Sequence, residues 1–237
     1  MVRRALMVAL AVACVPPSVG RAQTAPAPKA EAYHWPPQLP AAPLFFRAEW
    51  TATPHQHPVT QADLANPNLE LKLYGPSGKQ IATASQGAPS MTGAAPTHVY
   101  TGLCEQTCAA ALRDPKNYVD LSGLGKIRWE DKISGLHRVH PIVKLADGTW
   151  LVGEHGDSNE ADFHANEFTL SESRWIRLDI DRVVTRDDWM DGTSVDFSKV
   201  DEVGFTSLMP GSGHGDGGYM DMGWIEVYGN PVPRTAR

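Results

Sequence analysis

The stretch Lys126-Ile127-Arg128-Trp129-Glu130-Asp131-Lys132-Ile133 alternates along its whole length. Ile127, Trp129 and Ile133 fall on one flank together with Asp131; Lys126, Arg128, Glu130 and Lys132 fall on the other. Successive side chains of a strand point to opposite faces, so this period of two reads as a ribbon with one flank buried. The same rule recurs on both sides of it. In Asn68–Tyr74, Leu69, Leu71 and Leu73 oppose Glu70 and Lys72. The turn Gly75-Pro76-Ser77-Gly78 follows, and Lys79 to Ala84 is expected to return as the partner strand. His98–Leu103 and Cys108–Leu112 are two shorter candidates. His137–Leu145 and Thr149–Glu154 flank Ala146-Asp147-Gly148, and Asp-Gly between two such runs predicts a hairpin. Trp175–Ile180 is expected to turn Ile176, Leu178 and Ile180 inward, with Trp175, Arg177 and Asp179 outward. Val203–Met209 and Met222–Tyr228 complete the series. Helical period is confined to Gln61–Ala65 and Arg186–Met190, each too short for more than a turn or two. The pattern predicts an all-β fold: an antiparallel β-sandwich or jelly roll with short helical turns, forming a single domain over residues 44–234.

The chain starts differently. Residues 1–22 have the pattern of a secretory signal peptide: Arg3 and Arg4, then an apolar run from Ala5 to Val15 too short to span a bilayer. Gly20-Arg21-Ala22 suits cleavage after Ala22. Leu10-Ala11-Val12-Ala13-Cys14 offers the alternative of a lipid anchor on Cys14. Either way the expected location is exported, periplasmic or extracellular, with no membrane-spanning segment after the signal is removed. Residues 23–43, rich in Ala and Pro, read as a disordered leader or linker. The 21 Lys+Arg less Arg3, Arg4 and Arg21 leave 18 against 27 Asp+Glu, a net of −9. That balance argues against a nucleic-acid partner, whose phosphates need a basic face. Cys104 and Cys108 are too few for a metal site and too far apart for a two-residue redox motif, so a short-loop disulfide is expected.

Three segments carry a resemblance. Val119-Asp120-Leu121-Ser122-Gly123-Leu124 with Ile127-Arg128-Trp129, then Ser198 to Phe205, then Trp224-Ile225-Glu226-Val227-Tyr228-Gly229, resemble in order the core strands of galactose-binding-like jelly rolls. They cover the C-terminal half. The resemblance implies a carbohydrate-binding-type scaffold and leaves the ligand open.

Several constellations bear on chemistry. Arg128 and Glu130 share a flank, as do Arg138 and His140, Trp150 and Glu154, and Trp175 and Arg177. Aligned across neighbouring strands, they would form a patch suited to a carbohydrate ligand, whose C–H faces stack on Trp and whose hydroxyls bond to Arg and Glu. The competing expectation is structural, with Trp129, Trp224 and Trp150 filling the core. Gly213-x-Gly215-x-x-Gly218 lacks the following helix that a dinucleotide fingerprint needs. It reads as a long connection, or as a ligand-gripping loop with His214 and Asp216 at its tip. His55-Gln56-His57 supplies only two metal ligands, and His137 and His140 point opposite ways. The acidic group Glu154, Asp157, Glu160 and Asp162, with His155, has oxygens of the kind that hold a structural Ca²⁺ ion; otherwise no cofactor is expected. With His140, the same group is the candidate acid–base machinery of a polysaccharide hydrolase or lyase, the alternative to a non-catalytic binding protein.

Overall fold

The computed structural model describes residues 41–84, 96–210 and 218–234. The signal pattern with Cys14, the leader up to residue 40, His214 and Asp216 lie outside them. Sixteen strands occur among the described residues: β1 (Leu44–Glu49), β2 (His57–Pro58), β3 (Glu70–Tyr74), β4 (Ala82–Ala84), β5 (His98–Tyr100), β6 (Ala109–Arg113), β7 (Asn117–Asp120), β8 (Lys126–Gly135), β9 (His140–Leu145), β10 (Trp150–Gly153), β11 (Glu160–Thr169), β12 (Arg174–Asp179), β13 (Val184–Asp191), β14 (Val200–Thr206), β15 (Gly218–Tyr228) and β16 (Asn230–Pro233). They form two antiparallel sheets stacked as a β-sandwich of jelly-roll type. One runs β11-β8-β15-β5-β4-β2, with β1 sharing the free edge of β15. The other runs β13-β12-β10-β9-β14-β6-β3, with β7 and β16 attached beside β14. No helix among the described residues is long and apolar enough to cross a membrane.

The alternating flank of β8 faces the core as its sequence demands. Ile127, Trp129, Asp131 and Ile133 are buried there, beside Met220, Met222, Ile225 and Val227 of β15. Across the sandwich they join a core that includes Val143, Leu151, Val203, Phe205 and Trp175. The Asp147-Gly148 hairpin between β9 and β10 forms as expected, with Leu145 N–H donating to the Thr149 carbonyl at 2.8 Å. The Cys104–Cys108 disulfide is present.

Three local expectations are corrected. Ala82–Ala84 does not return beside β3. It crosses to the other sheet and pairs with β5 and β2, while β3 pairs with β6. Arg186–Met190 lies within β13, an edge strand, because pairing with β12 outweighs a weak local helical pattern. Trp175 does not face outward. It is 0% exposed, donates its indole N–H to the Leu170 carbonyl at 2.8 Å, and packs edge-on against Phe197.

Ile176 and Leu178 are buried as expected, but in a second cluster on the outer flank of the β14 sheet. Ala109, Ala111, Ile142, Trp150, Val152 and Val183 complete it. This sheet is therefore apolar on both flanks. Tyr74 of β3 reaches the Trp150 ring at 5.0 Å although β6, β14 and β9 lie between their strands. The twist of the sheet lifts diagonal corners toward each other, and the small side chains at Ala109, Ala111 and Gly204 leave room beneath. The β12–β13 connection closes over this cluster. Thr107 Oγ1 donates to the Arg182 carbonyl at 2.5 Å, and Val183 packs where a Cβ on Gly75 would stand only 2.6 Å away.

Candidate functional site

The outer flank of the β15 sheet is partly exposed around Trp224 and Tyr228, whereas towards β5 it is covered, with His98, Tyr100 and Asp221 buried. Register with β8 places Tyr219, Asp221, Trp224, Glu226 and Tyr228 on that flank, opposite Ser134, Lys132, Glu130, Arg128 and Lys126. Strict alternation would not give this set. Tyr219 and Trp224 are five residues apart and would point to opposite faces. A bulge between Met222 and Trp224 inserts one extra residue and restores the outward phase. Gly223 occupies it, and an ideal Cβ there would sit 2.6 Å from Glu130 Oε2. The bulge thus lets the Glu130 carboxyl approach the backbone beside the indole.

Tyr219, Trp224 and Tyr228 are each partly exposed. Arg47 of β1 and Arg128 of β8 hold their guanidinium carbons 4.5 and 5.3 Å from the Trp224 ring centroid, within cation–π range. Lys126 lies 5.0 Å from the Tyr228 ring. Glu226 is the hub. It bonds Arg47, accepts from the Tyr228 hydroxyl at 2.7 Å and stands 3.6 Å from Arg128. Burial pushes its carboxyl up, but the bonds from Tyr228 and Arg47 outweigh this and hold it below its ordinary value. Glu130 goes the other way: burial raises it, against the pull of a hydrogen bond from Trp224. The flank therefore combines ring faces, fixed donors and fixed acceptors, the groups that suit a polyhydroxylated ligand.

Of the residues anticipated from sequence, only Arg128 and Glu130 belong to this flank. Trp150 and Arg177 line a different feature, a depression of about 470 Å³ at the β10–β12–β13 end of the other sheet. Trp150 is only 7% exposed there, and Arg177 pairs with Asp187 at 3.6 Å. Glu154 is tied to Arg174 at the surface, which lowers its carboxyl from the ordinary value. His140 donates Nδ1–H to the carbonyls of Gly153 and His155 at 3.1 and 3.0 Å, and burial lowers its pKa. It pins the loop after β10. Arg138 is exposed on the β8–β9 connection. The proposed alignment of all these strands into one patch does not occur, because β8 belongs to one sheet and β9, β10 and β12 to the other. Trp224, Tyr219, Tyr228, Arg47 and Glu226 were not singled out as ligand residues. The tell-tale was the Gly223 that follows an alternating run, a common mark of a bulge.

Two buried carboxyls stand apart. Asp131, 0% exposed, is pushed up to about 8 by burial and by the nearby Asp157 charge, and its Oδ2 has no hydrogen-bond partner. Asp221 is likewise pushed up to about 8 by burial, while burial lowers His98 at 3.5 Å. Burial thus disfavours the charged form of each. His57 Nε2 donates to Asp63 at 2.9 Å, which accounts for that ring. Among the described residues no group of three or more His, Cys, Asp or Glu side chains is placed to hold a metal ion.

No family model matches the chain, and no curated protein matches it at a significant level. Solved structures give remote similarities. The chain is similar to the family 11 carbohydrate-binding module of the cellulosomal cellulase Lic26A-Cel5E of Clostridium thermocellum, at 15% identity and a TM-score of 0.41 over 79% of this chain and 91% of that one. It is similar to an exo-beta-agarase at 10% identity and a TM-score of 0.42, covering 71% of this chain and 24% of that one. It is also similar to the exoplasmic/lumenal domain of VIP36 in its Ca²⁺/Man3GlcNAc-bound form, at 8% identity and a TM-score of 0.32 over 71% and 86%. At these scores the similarities fix neither a family nor a site.

Proposed function

We propose that this protein binds a glycan on the outer flank of the β15 sheet, without carrying out chemistry on it, and that it works outside the cytoplasm. The observation that carries this is the set of three partly exposed rings on one flank of one strand, interleaved with Asp221 and Glu226 and bordered by Arg47, Arg128 and Glu130. The three rings lie outside the inter-sheet core, which Met220, Met222, Ile225 and Val227 of the same strand fill. The secretory pattern of residues 1–22 supports export. A binding role suits the state of the carboxyls. A glycosidase acid needs a raised pKa and access to substrate. Glu154 is exposed but lowered by Arg174, and Asp131 and Asp221 are raised but buried; Glu130 is raised and half-buried, and is tied by a hydrogen bond to Trp224.

A glycan array with the purified protein tests the proposal. Binding is expected, and Trp224→Ala should weaken it about tenfold, the equivalent of about 1.4 kcal/mol, with the circular dichroism spectrum unchanged. Absence of any glycan ligand, or full affinity in Trp224→Ala, would overturn it. Turnover of a polymer that Glu154→Gln abolishes would favour a hydrolase instead.

A further inference from the structure

We infer, resting on the glycan reading above, that the ligand is an extended, uncharged polysaccharide chain lying lengthwise along β15. The first observation is spacing. Tyr219, Trp224 and Tyr228 stand opposite Ser134, Glu130 and Lys126, so the two intervals are equal, four residues of β8 each. At about 3.4 Å per residue each interval is about 14 Å and the row about 27 Å. One pyranose is shorter than either interval, so a single sugar cannot touch two rings. A short ligand gains one ring contact, and only a chain laid along the strand gains all three. The Gly223 bulge makes the row straight, because it is what brings Trp224 onto the flank with the two tyrosines.

The second observation is charge. The cations nearest the rings are already engaged: Arg47 with Glu49 and Glu226, Arg128 with Glu226, and Lys126 with Glu167 at 2.9 Å. Glu130 lies beside the indole as well. A uronate or sulfated chain would have to break these pairs and would meet the carboxylates of Glu49, Glu130 and Glu226. An uncharged chain uses the same groups as hydrogen-bond donors and acceptors where they stand. The ligand class is therefore a neutral polymer, with hydroxyls as its only strong polar groups.

Titration calorimetry with neutral gluco-, manno-, xylo- and agaro-oligosaccharides of two to eight sugars, their polymers, and polygalacturonate would decide. For at least one neutral series, affinity should rise at least tenfold from the disaccharide to the octasaccharide. Tyr219→Ala and Tyr228→Ala, both at partly exposed positions outside the inter-sheet core, should each lower affinity for the long chain severalfold and leave the short one almost unaffected, with the circular dichroism spectrum unchanged. Polygalacturonate should bind more weakly than the neutral polymer. If a disaccharide binds as tightly as the octasaccharide, or if both tyrosine variants keep full long-chain affinity, the lengthwise placement is wrong while glycan binding stands. Preference for polygalacturonate would reject the uncharged class alone. Failure of every glycan, on the array and in the calorimeter, would reject the binding function itself and this inference with it.

Discussion

Single residues show where this molecule spends stability. Asp131 shares the inward flank of β8 with Ile127, Trp129 and Ile133, and burial pushes its carboxyl up to about 8 from an ordinary value of 3.8. Between those values the folded chain keeps a proton that the unfolded chain has released. Its contribution to stability therefore declines as pH rises from about 4 to about 8, and stays low above that. Asp131→Asn removes this titration. Urea unfolding midpoints of the variant should vary less between pH 5 and 8 than those of the parent, and at pH 8 the variant should be at least as stable. A steeper pH dependence in the variant would contradict the assignment. Glu154 is the opposite case. Its pair with Arg174 is exposed on both sides, where such pairs contribute little. Glu154→Gln should leave both the melting temperature and glycan affinity unchanged within error.

Elements show how the two flanks of the β14 sheet came to differ from those of the β15 sheet. The β12–β13 connection carries Val183 at a φ of 54°, a conformation disfavoured for a β-branched residue by about 1–3 kcal/mol. It persists because Val183 is 1% exposed, packed into the second apolar cluster. Gly75 is the matching notch, with a φ of 83° and no room for a methyl beside Val183 and the Thr107 carbonyl. Gly75→Ala should destabilise by about 2 kcal/mol or more, through strain and overpacking together. Thermal melts would check this; a variant as stable as the parent would mean the connection does not close on the sheet as described. The same element explains the misplaced tryptophans. In β12 every second position is apolar and Trp175 interrupts them, so alternation alone offers two apolar flanks and cannot say which is the inter-sheet one. In β15 the bulge at Gly223 reverses the parity, which is why Trp224 reads from sequence as a core residue and stands outside instead.

At the scale of the whole molecule, the inter-sheet core is joined by the apolar cluster on the outer flank of the β14 sheet, and the Cys104–Cys108 disulfide fastens a short loop. The bond spans a sequence separation of 4. Chain-entropy reasoning for so short a loop gives about 2 kcal/mol. Paired Cys104→Ser and Cys108→Ser substitutions should lower stability by about that amount in urea melts and leave the far-ultraviolet spectrum β-dominated. Loss of the fold would show that the core alone does not suffice.

Period-two burial, turn chemistry at Asp147-Gly148 and the order of the C-terminal strands were legible in the sequence, because each is a local rule that one ribbon obeys by itself. So were the burial of Asp131 with its apolar neighbours and the pairing of Cys104 with Cys108. Which ribbon neighbours which was not, and the candidate site depends on that. Arg128 and Glu130 found partners in Arg47, Trp224 and Glu226 because β1 and β8 flank β15 in one sheet, while His140, Trp150 and Arg177 were carried to the other. Sheet assignment, the phase change at one inserted glycine and the covering of one outer flank by a distant hairpin are set by contacts between residues far apart in the chain. Those contacts are summed only when the whole core closes.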